Sequence, residues 1–336
     1  MSFLRKDLMS LFFLSLFLLT ACSENEAPAN IIEEPKVYVV YWEYDETTSN
    51  GIVKLWQDGS VSNISDTSKD AWANDIFITD KNDVYIGGYI FGNSLTPTLW
   101  KNGVVTSLTE GIEKGTVNDV YVHNNDVYLA GNSATVTSPD RATLWKNKKP
   151  TILSNILSKA TKVIVHNNDV YVIGSIGVRP VVWKNGEKTF LTDGTHTASV
   201  EDIAVYDNNV YILGKEHNGT KHVIKLWKNG VATNITDGNF SATPSSIAIE
   251  KGDIYVAGQE KSAGYIPKVW KNGVATNLTD GKKYAFPNDL FVFENTTYTA
   301  GSISNTKKED AVLWKNTTMI NITKESNARA MAVFVK

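Results

Sequence analysis

The sequence predicts an all-β fold: a seven-bladed β-propeller with four antiparallel strands per blade, closed by N- and C-terminal strands that share one blade. Three observations carry that expectation. A Trp recurs at 56, 100, 145, 183, 227, 270 and 314, at intervals of 38 to 45 residues. Each interval holds four short strand-like runs, the content of one propeller blade. The last residues of the chain match the single strand that the first repeat lacks.

Each Trp is followed by Lys or Gln and then Asn or Asp, as in Trp100, Lys101, Asn102, Gly103 and in Trp270, Lys271, Asn272, Gly273; five of the seven runs end in Gly. Asn-Gly and Asp-Gly favour the positive φ angles of a type I′ turn, so each run marks a hairpin corner. A second anchor is a Tyr at 38, 85, 128, 171, 211, 255 and 298, usually within a pattern such as Asn125, Asp126, Val127, Tyr128, Leu129, Ala130, Gly131. There a polar turn opens a strand of β-branched and aromatic residues. A third element, such as Leu191, Thr192, Asp193, Gly194 or Leu278, Thr279, Asp280, Gly281, closes the unit. Residues 245–281 read as four strands: Ser246 to Glu250, Ile254 to Gln259, Pro267 to Lys271 and Val274 to Thr279. Alternation at period two makes the seven Trp a wedge core between blades. The repeated Asn and Asp are turn chemistry.

Closure follows from the ends, because an open ring leaves two unpaired edges. The first unit begins at Lys36 with the Tyr38 strand and has no innermost strand; the run Ala330 to Val335 supplies it.

Composition narrows the function classes. The chain has 336 residues, 33 basic against 36 acidic, and a net charge of −3. No basic excess speaks for a nucleic-acid partner. One cysteine excludes a disulfide scaffold and a cysteine-ligated metal cluster. Residues 1–21 carry a basic start (Arg5, Lys6) and an apolar stretch from Leu8 through Leu19, the pattern of a secretory signal, too short for a membrane span of about 20 apolar residues. The run Leu19, Thr20, Ala21, Cys22 resembles a bacterial lipobox. That resemblance implies lipidation of Cys22, palmitate-type acyl anchoring and an outer-membrane address. Residues 22–35, with Glu24, Glu26, Glu33 and Glu34, read as a flexible tether; an acidic stretch after the Cys is similar to the surface-export signals of Bacteroidota lipoproteins. The mature chain keeps 31 basic and 35 acidic residues, net −4. The propeller is expected over residues 36–336.

The unit resembles the extracellular HAF-type repeat, which also pairs a Leu-Trp-x-Asn-Gly corner with a Leu-containing strand and a later Val-x-Gly. The resemblance implies an extracellular propeller-like array and no defined activity.

Since the repeated residues hold the fold, function is expected where a repeat departs from its template, chiefly in the loops. One candidate is a ring placed just before each innermost strand: Asp75, Asp119, Lys162, Asp202, Ser246, Asp289 and Ala330. Four carboxylates, Asp75, Asp119, Asp202 and Asp289, offer oxygen ligands to Ca²⁺ or another hard cation; the alternative is that each caps backbone N–H groups within its own corner. The other is a sector of non-template aromatics: Tyr41, Trp42 and Tyr44 in blade 1, Trp72, Tyr89 and Phe91 in blade 2, Tyr284 and Phe286 in blade 7. Such rings suit glycan or protein contact; the alternative is packing under long loops.

Enzymatic signatures are absent: no G-x-S-x-G elbow, no H-E-x-x-H, no phosphate loop, no zinc spacing and no cofactor motif. His196, His217 and His222 lie around blade 5 without ligand spacing, and His123 and His166 occupy turns on the opposite face. Arg141, Arg179 and Arg329 share the loop face but lack the Asp-box of sialidases. Glu201 and Glu216 are a formal glycosidase pair. The expectation is a lipid-anchored envelope binding module for a glycan or a partner protein. The alternatives are a carbohydrate-active hydrolase or lyase on the same scaffold and a structural subunit of an envelope complex.

Overall fold

The computed structural model describes residues 34–108, 114–262, 264–304 and 308–336. The signal segment 1–21, Cys22 and most of the 22–35 segment lie outside the described residues. Residues Pro35–Lys336 form one compact unit. Within it 28 strands, β1–β28 in chain order, build seven four-stranded antiparallel sheets, and no helix occurs among the described residues.

Blade 1 runs from channel to rim as β28 (Ala328–Val335), β1 (Val37–Asp45), β2 (Asn50–Gln57) and β3 (Ser60–Asn63). Blades 2 to 7 follow chain order from the innermost strands β4 (Ala71–Ile78), β8 (Lys114–His123), β12 (Ser158–His166), β16 (Ala198–Tyr206), β20 (Ser241–Glu250) and β24 (Tyr284–Phe293). The closure expected from the ends is present: Val37 pairs with Val335, and Lys36 and Lys336 exchange two backbone hydrogen bonds of 2.7 and 3.0 Å. Adjacent innermost strands touch all the way round, including β24 with β28 and β28 with β4.

The corners have the expected chemistry. Asn102 and Gly103 have φ of 49° and 79°, Asn272 and Gly273 49° and 83°, both central residues of a type I′ turn. In blade 3, Lys148 takes the Gly position at φ 72°. The inner hairpin turns on Asn124 and Asn125, at φ 51° and 65°, one residue earlier than the sequence suggests, because Asp126 is already in its strand. That shift gives Asp126 a different task. Its carboxylate lies 2.8 Å from the Lys146 ammonium and accepts from Asn147 Nδ2 at 2.6 Å, while Lys146 sits over the Tyr128 ring. The same box recurs at Asp83, Asp169 and Asp253. It explains why Trp-Lys-Asn and Asn-Asp-x-Tyr travel together.

Seven hydrophobic clusters fill the seven seams between blades. Trp100 packs with Tyr38 and Val40 of blade 1, and Trp314 with Tyr255 and Val269 of blade 6. Six of the seven Trp are buried; Trp56, at the closing seam, is half-buried. Removing 150–250 Å² per ring from water at about 25 cal/mol/Å² stabilises by up to about 4–6 kcal/mol per Trp. This is why the Trp sets the period.

Each innermost strand carries one β-bulge. In β8, Val117 pairs with Gly131 and Asp119 with Ala130, so Asn118 has no partner across the ladder. The bulged backbone leans over the second strand, and a Cβ on Gly131 would lie 2.0 Å from the Thr116 carbonyl oxygen. The repeated Gly at the end of the Tyr strand is that clearance. In blade 1 the bulge falls on Met331, so the equivalent of Asp75 is Ala332. Ala330 lies on the other side of the bulge. The innermost strand expected from Ser246 begins earlier, at Ser241, because the ladder continues on both sides of the bulge.

Candidate functional site

Innermost strands run from a face bearing the longer loops, the loop face, to a face of tight turns, the turn face. The ring residues lie inside these strands, at the bulges, rather than before them. A bulge re-aims side chains, and here it turns two consecutive ones toward the channel and the next blade.

Those side chains join the blades. Asp75 accepts the Val120 N–H at 3.0 Å, Asp119 the Val163 N–H at 2.7 Å, Asp202 the Ile247 N–H at 2.8 Å and Asp289 the Val333 N–H at 2.9 Å. Every one of these donors belongs to the following blade, so the capping expected within each corner is instead a clasp between blades; Asp202 alone also accepts from its own neighbour, Ile203. The preceding Asn adds a second tooth: Asn74, Asn118 and Asn288 donate to the Val117, Ala160 and Ala330 carbonyls at 2.6, 2.7 and 2.8 Å.

Two residues that break the template complete the ring. Lys162 Nζ lies 2.8 Å from Asp119 Oδ1 and 3.2 Å from Asp75 Oδ1. The Ser246 hydroxyl bridges Asp202 and Asp289 at 2.8 and 2.9 Å. Burial pushes the Asp75 carboxyl well above the usual range; Lys162 opposes the shift, and Asp119 and Asp289 reinforce it. Burial also raises Asp202, to about 6. Burial lowers the Lys162 pKa, but Asp119 and Asp75 outweigh it and hold the ammonium well above an ordinary lysine. One ammonium shared by two carboxylates balances only one of them. As for the expected cation site, no three His, Cys, Asp or Glu side chains among the described residues come together as a metal-ligand set, and all four carboxylates are engaged by backbone donors.

The aromatic sector separates into two groups. Trp42 and Trp72 meet across the blade 1–blade 2 seam with ring centroids 5.0 Å apart. Trp72 pairs with Tyr89 across the strands, and Tyr89 stands edge-on to Phe91 at 5.2 Å. These four rings form a half-exposed strip at the loop face, with Phe91 40% exposed. Tyr284 and Phe286 turn away from blade 1 and meet Tyr265 of blade 6 at 6.3 and 6.2 Å. Tyr41 is core, 2% exposed in the blade 7–blade 1 seam, because it points opposite to Trp42 in the pleat. Tyr44 lines a polar recess with Glu43, Asp45 and Lys54. Trp42 lies over Gly51, where a Cβ would sit 1.7 Å from its Nε1.

The remaining candidates are occupied separately. Arg329 pairs with Glu309 at 2.7 Å, and Arg179 stacks on Phe190 and donates to the Thr192 carbonyl. Glu201 accepts from Ser199 and Glu216 pairs with Lys225, so the two carboxylates serve different partners. His217 and His222 face each other across a hairpin with ring centroids 5.1 Å apart. Of the bulge residues Thr161, Glu201 and Ser245, which line the loop-side mouth of the channel with Asn74, Asn118 and Asn288, only Glu201 figures among the expected candidates, and there as a glycosidase carboxylate. The signal for them is positional: each stands where three other blades have Asn.

No family model matches the chain, and no curated protein matches it in sequence. Solved structures do match in shape. A puromycin-hydrolysing peptidase of Mycobacterium tuberculosis aligns at TM-score 0.63 and 9% identity over 86% of this chain and 52% of its own. An acylaminoacyl peptidase of Pyrococcus horikoshii aligns at TM-score 0.55 and 14% identity over 87% of this chain and 52% of its own. The chain thus spans about half the length of these two peptidases. The β-propeller domain of the Trilobed protease of Pyrococcus furiosus, described as having an open velcro topology, aligns at TM-score 0.56 and 10% identity over 87% and 95% of the two chains. At these identities the likeness is one of fold: the chain is a seven-bladed β-propeller, and its own ring is closed by β28 on β1.

Proposed function

We propose that this propeller is a lipid-anchored envelope protein, held at the outer membrane through Cys22 and facing the cell exterior, and that it works as a binding module for a glycan or a partner protein, with a glycan favoured. The observation that carries the binding reading is the half-exposed strip Trp42–Trp72–Tyr89–Phe91 on the loop face. Flat apolar faces with polar edges match the faces of sugar rings, and aromatic anchors dominate binding energy at small contacts. The chain enters the propeller at Lys36, on the turn face, at the far end of the blades from the strip.

A glycan array on wild type, Tyr89→Ala and Phe91→Ala, run beside a reducing-sugar release assay, tests this. Phe91 and Tyr89 are better probes than Trp42, whose removal would also leave the Gly51 hairpin uncovered. Binding without release, weakened tenfold or more by either change, supports the module. Release of new reducing ends turns the reading to a hydrolase or lyase, and equal binding by all three proteins removes the strip from the site. Labelled palmitate incorporated by wild type but not by Cys22→Ser tests the anchor.

A further inference from the structure

Above the charged ring lies a second polar layer that the clasp does not fully use. The bulge residues of blades 2 to 7, Asn74, Asn118, Thr161, Glu201, Ser245 and Asn288, line a cavity of about 230 Å³ at the loop-face mouth of the channel together with Lys159 and the blade 1 bulge residue Met331, and the Asp75–Lys162–Asp289 level forms its floor. The cup has two unlike halves. In blades 2, 3 and 7 the Asn side chains spend their N–H groups on the next blade's carbonyls, and the Oδ1 atoms of Asn74 and Asn288 make no hydrogen bond within the described protein. In blades 4, 5 and 6 the positions hold two hydroxyls and a carboxylate. The Ser245 Oγ is enclosed and has no hydrogen-bond partner. Glu201 accepts the Ser199 hydroxyl at Oε1, leaving Oε2.

From this we infer that the channel mouth is a binding site for one pyranose-sized polyol, such as the terminal sugar of a glycan. An enclosed hydroxyl without a partner carries an uncompensated desolvation penalty, and a ligand hydroxyl that reaches it satisfies it. Free amide oxygens and a carboxylate call for donors, while Ser245 and Thr161 both donate and accept; only a ligand whose groups do both meets the whole set. A phosphate or carboxylate would meet the Lys159 and Lys162 ammoniums but also Glu201 and Asp289, so the lining carries no net positive charge to hold an anion. An apolar group would leave Ser245 unpaired. The volume falls below the 300–1,000 Å³ typical of drug-sized pockets, which suits a single ring. The ligand class rests on the glycan reading above, whereas the site shares no residue with the aromatic strip.

The test is saturation-transfer NMR on the purified chain with glucose, galactose, mannose, fucose and N-acetylglucosamine, each up to about 10 mM, the regime of a single weak subsite. Wild type, Ser245→Ala, Glu201→Gln and Phe91→Ala are compared, with melting curves to confirm folding. The expected result is binding of at least one sugar, weakened about tenfold or more by Glu201→Gln, which loses a charge-assisted bond, weakened by Ser245→Ala, and unchanged by Phe91→Ala. Binding that survives Ser245→Ala and Glu201→Gln but is lost in Phe91→Ala puts the sugar on the strip, which overturns the cup and leaves the module standing. No binding by any of the five sugars also overturns it, as does displacement of the bound sugar by CaCl₂, which would make the cup a cation site. A glycan array that stays positive in either of those cases shows the module reading intact.

Discussion

Replacing Lys162 with Met puts the charge balance of the ring to a direct test. Its ammonium is the cation that the described structure places against Asp75 and Asp119, at 3.2 and 2.8 Å, and their side chains are only 10% and 7% exposed. Deleting one partner of a buried pair costs about 3–5 kcal/mol, because the other charge stays behind uncompensated. The lysine side chain is itself 21% exposed, and water reaching it favours the lower end, about 3 kcal/mol. For a unit of about 300 residues the unfolding entropy is about 0.6 kcal/mol/K, so the melting temperature should fall by about 5 °C at pH 7.5. The pH dependence gives a second handle. Asp75 has its folded pKa above its unfolded value, so it stabilises at low pH and loses that contribution as pH rises through the folded pKa. Removing Lys162 raises that pKa further, and the deficit should therefore shrink at pH 5. Lys162 has its own pKa raised, so its contribution is fully present below the unfolded lysine value and vanishes only as pH rises past the folded one; neither test condition approaches that range. Calorimetry of wild type, Lys162→Met and the triple variant Lys162→Met, Asp75→Asn, Asp119→Asn at both pH values checks this. The triple variant should recover most of the loss, since each Asn keeps an acceptor for Val120 or Val163. A Lys162→Met melting point within 1–2 °C of wild type at pH 7.5, or an equal deficit at both pH values, would refute the argument by showing the ring to be solvated.

Three further outcomes are expected. With Asp202 raised to about 6 against an unfolded value near 3.9, deprotonation weakens the folded state, so acidifying from pH 7.5 to 5 should increase stability by about 1.4 kcal/mol; denaturant unfolding would show this, and Asp202→Asn should flatten the slope whatever its effect at pH 7.5. Lys148 holds φ 72° where the repeat has Gly, so Lys148→Gly should raise stability by about 0.5–1 kcal/mol, seen as a higher urea midpoint with unchanged m-value. Deleting residues 328–336 removes β28, leaves β1 an unpaired edge and takes away the Asp289–Val333 and Asn288–Ala330 bonds; the truncated chain should aggregate or lose its cooperative melt, and a monomeric protein melting like wild type would contradict closure by the last strand.

Repetition and turn chemistry made the fold legible. A Trp every 38 to 45 residues is visible because each one fills the same seam, and Asn-Gly corners are visible because φ above zero admits few residues. Closure was legible for the same reason: a first blade short of one strand and a spare strand at the other end of the chain have one joint solution. What lay hidden turns on the bulge. Side-chain direction alternates with period two, and one extra residue reverses the phase for everything beyond it. The template shows which residue types recur at Asp75, Asp119, Asp202 and Asp289 but not that each reaches forward to the next blade, nor that Ala332 rather than Ala330 is their seventh counterpart. The Gly of the Tyr strand was the available clue, since a Gly inside a strand marks a bulge or a close backbone approach.

The candidate site was harder to read for a reason that follows from the fold. In a ring of like units, a position's role depends on what its neighbours in other blades hold, residues some 43 positions away in sequence. Lys162 is the one basic residue at the ring positions, yet it pairs with Asp75 and Asp119 in two other blades and opposes the upward shift that burial gives Asp75. Ser246 reads as a lost carboxylate, yet it lets Asp202 and Asp289 approach each other through one hydroxyl. Tyr284 and Phe286 belong by sequence to one sector with the aromatics of blades 1 and 2 but face blade 6, because the pleat, not the order of blades, decides the side. The departures from template therefore locate chemistry well and partners poorly. The contrast between the Asn side of the cup and its Thr161–Glu201–Ser245 side is such a departure: blades 4, 5 and 6 in succession lack the carboxamide that completes the clasp in blades 2, 3 and 7, and blade 1 has Met331 there. A purely structural ring would have no reason to give up those bonds together on one side of the channel, and that is the physical ground for reading the mouth as a place built to meet a ligand.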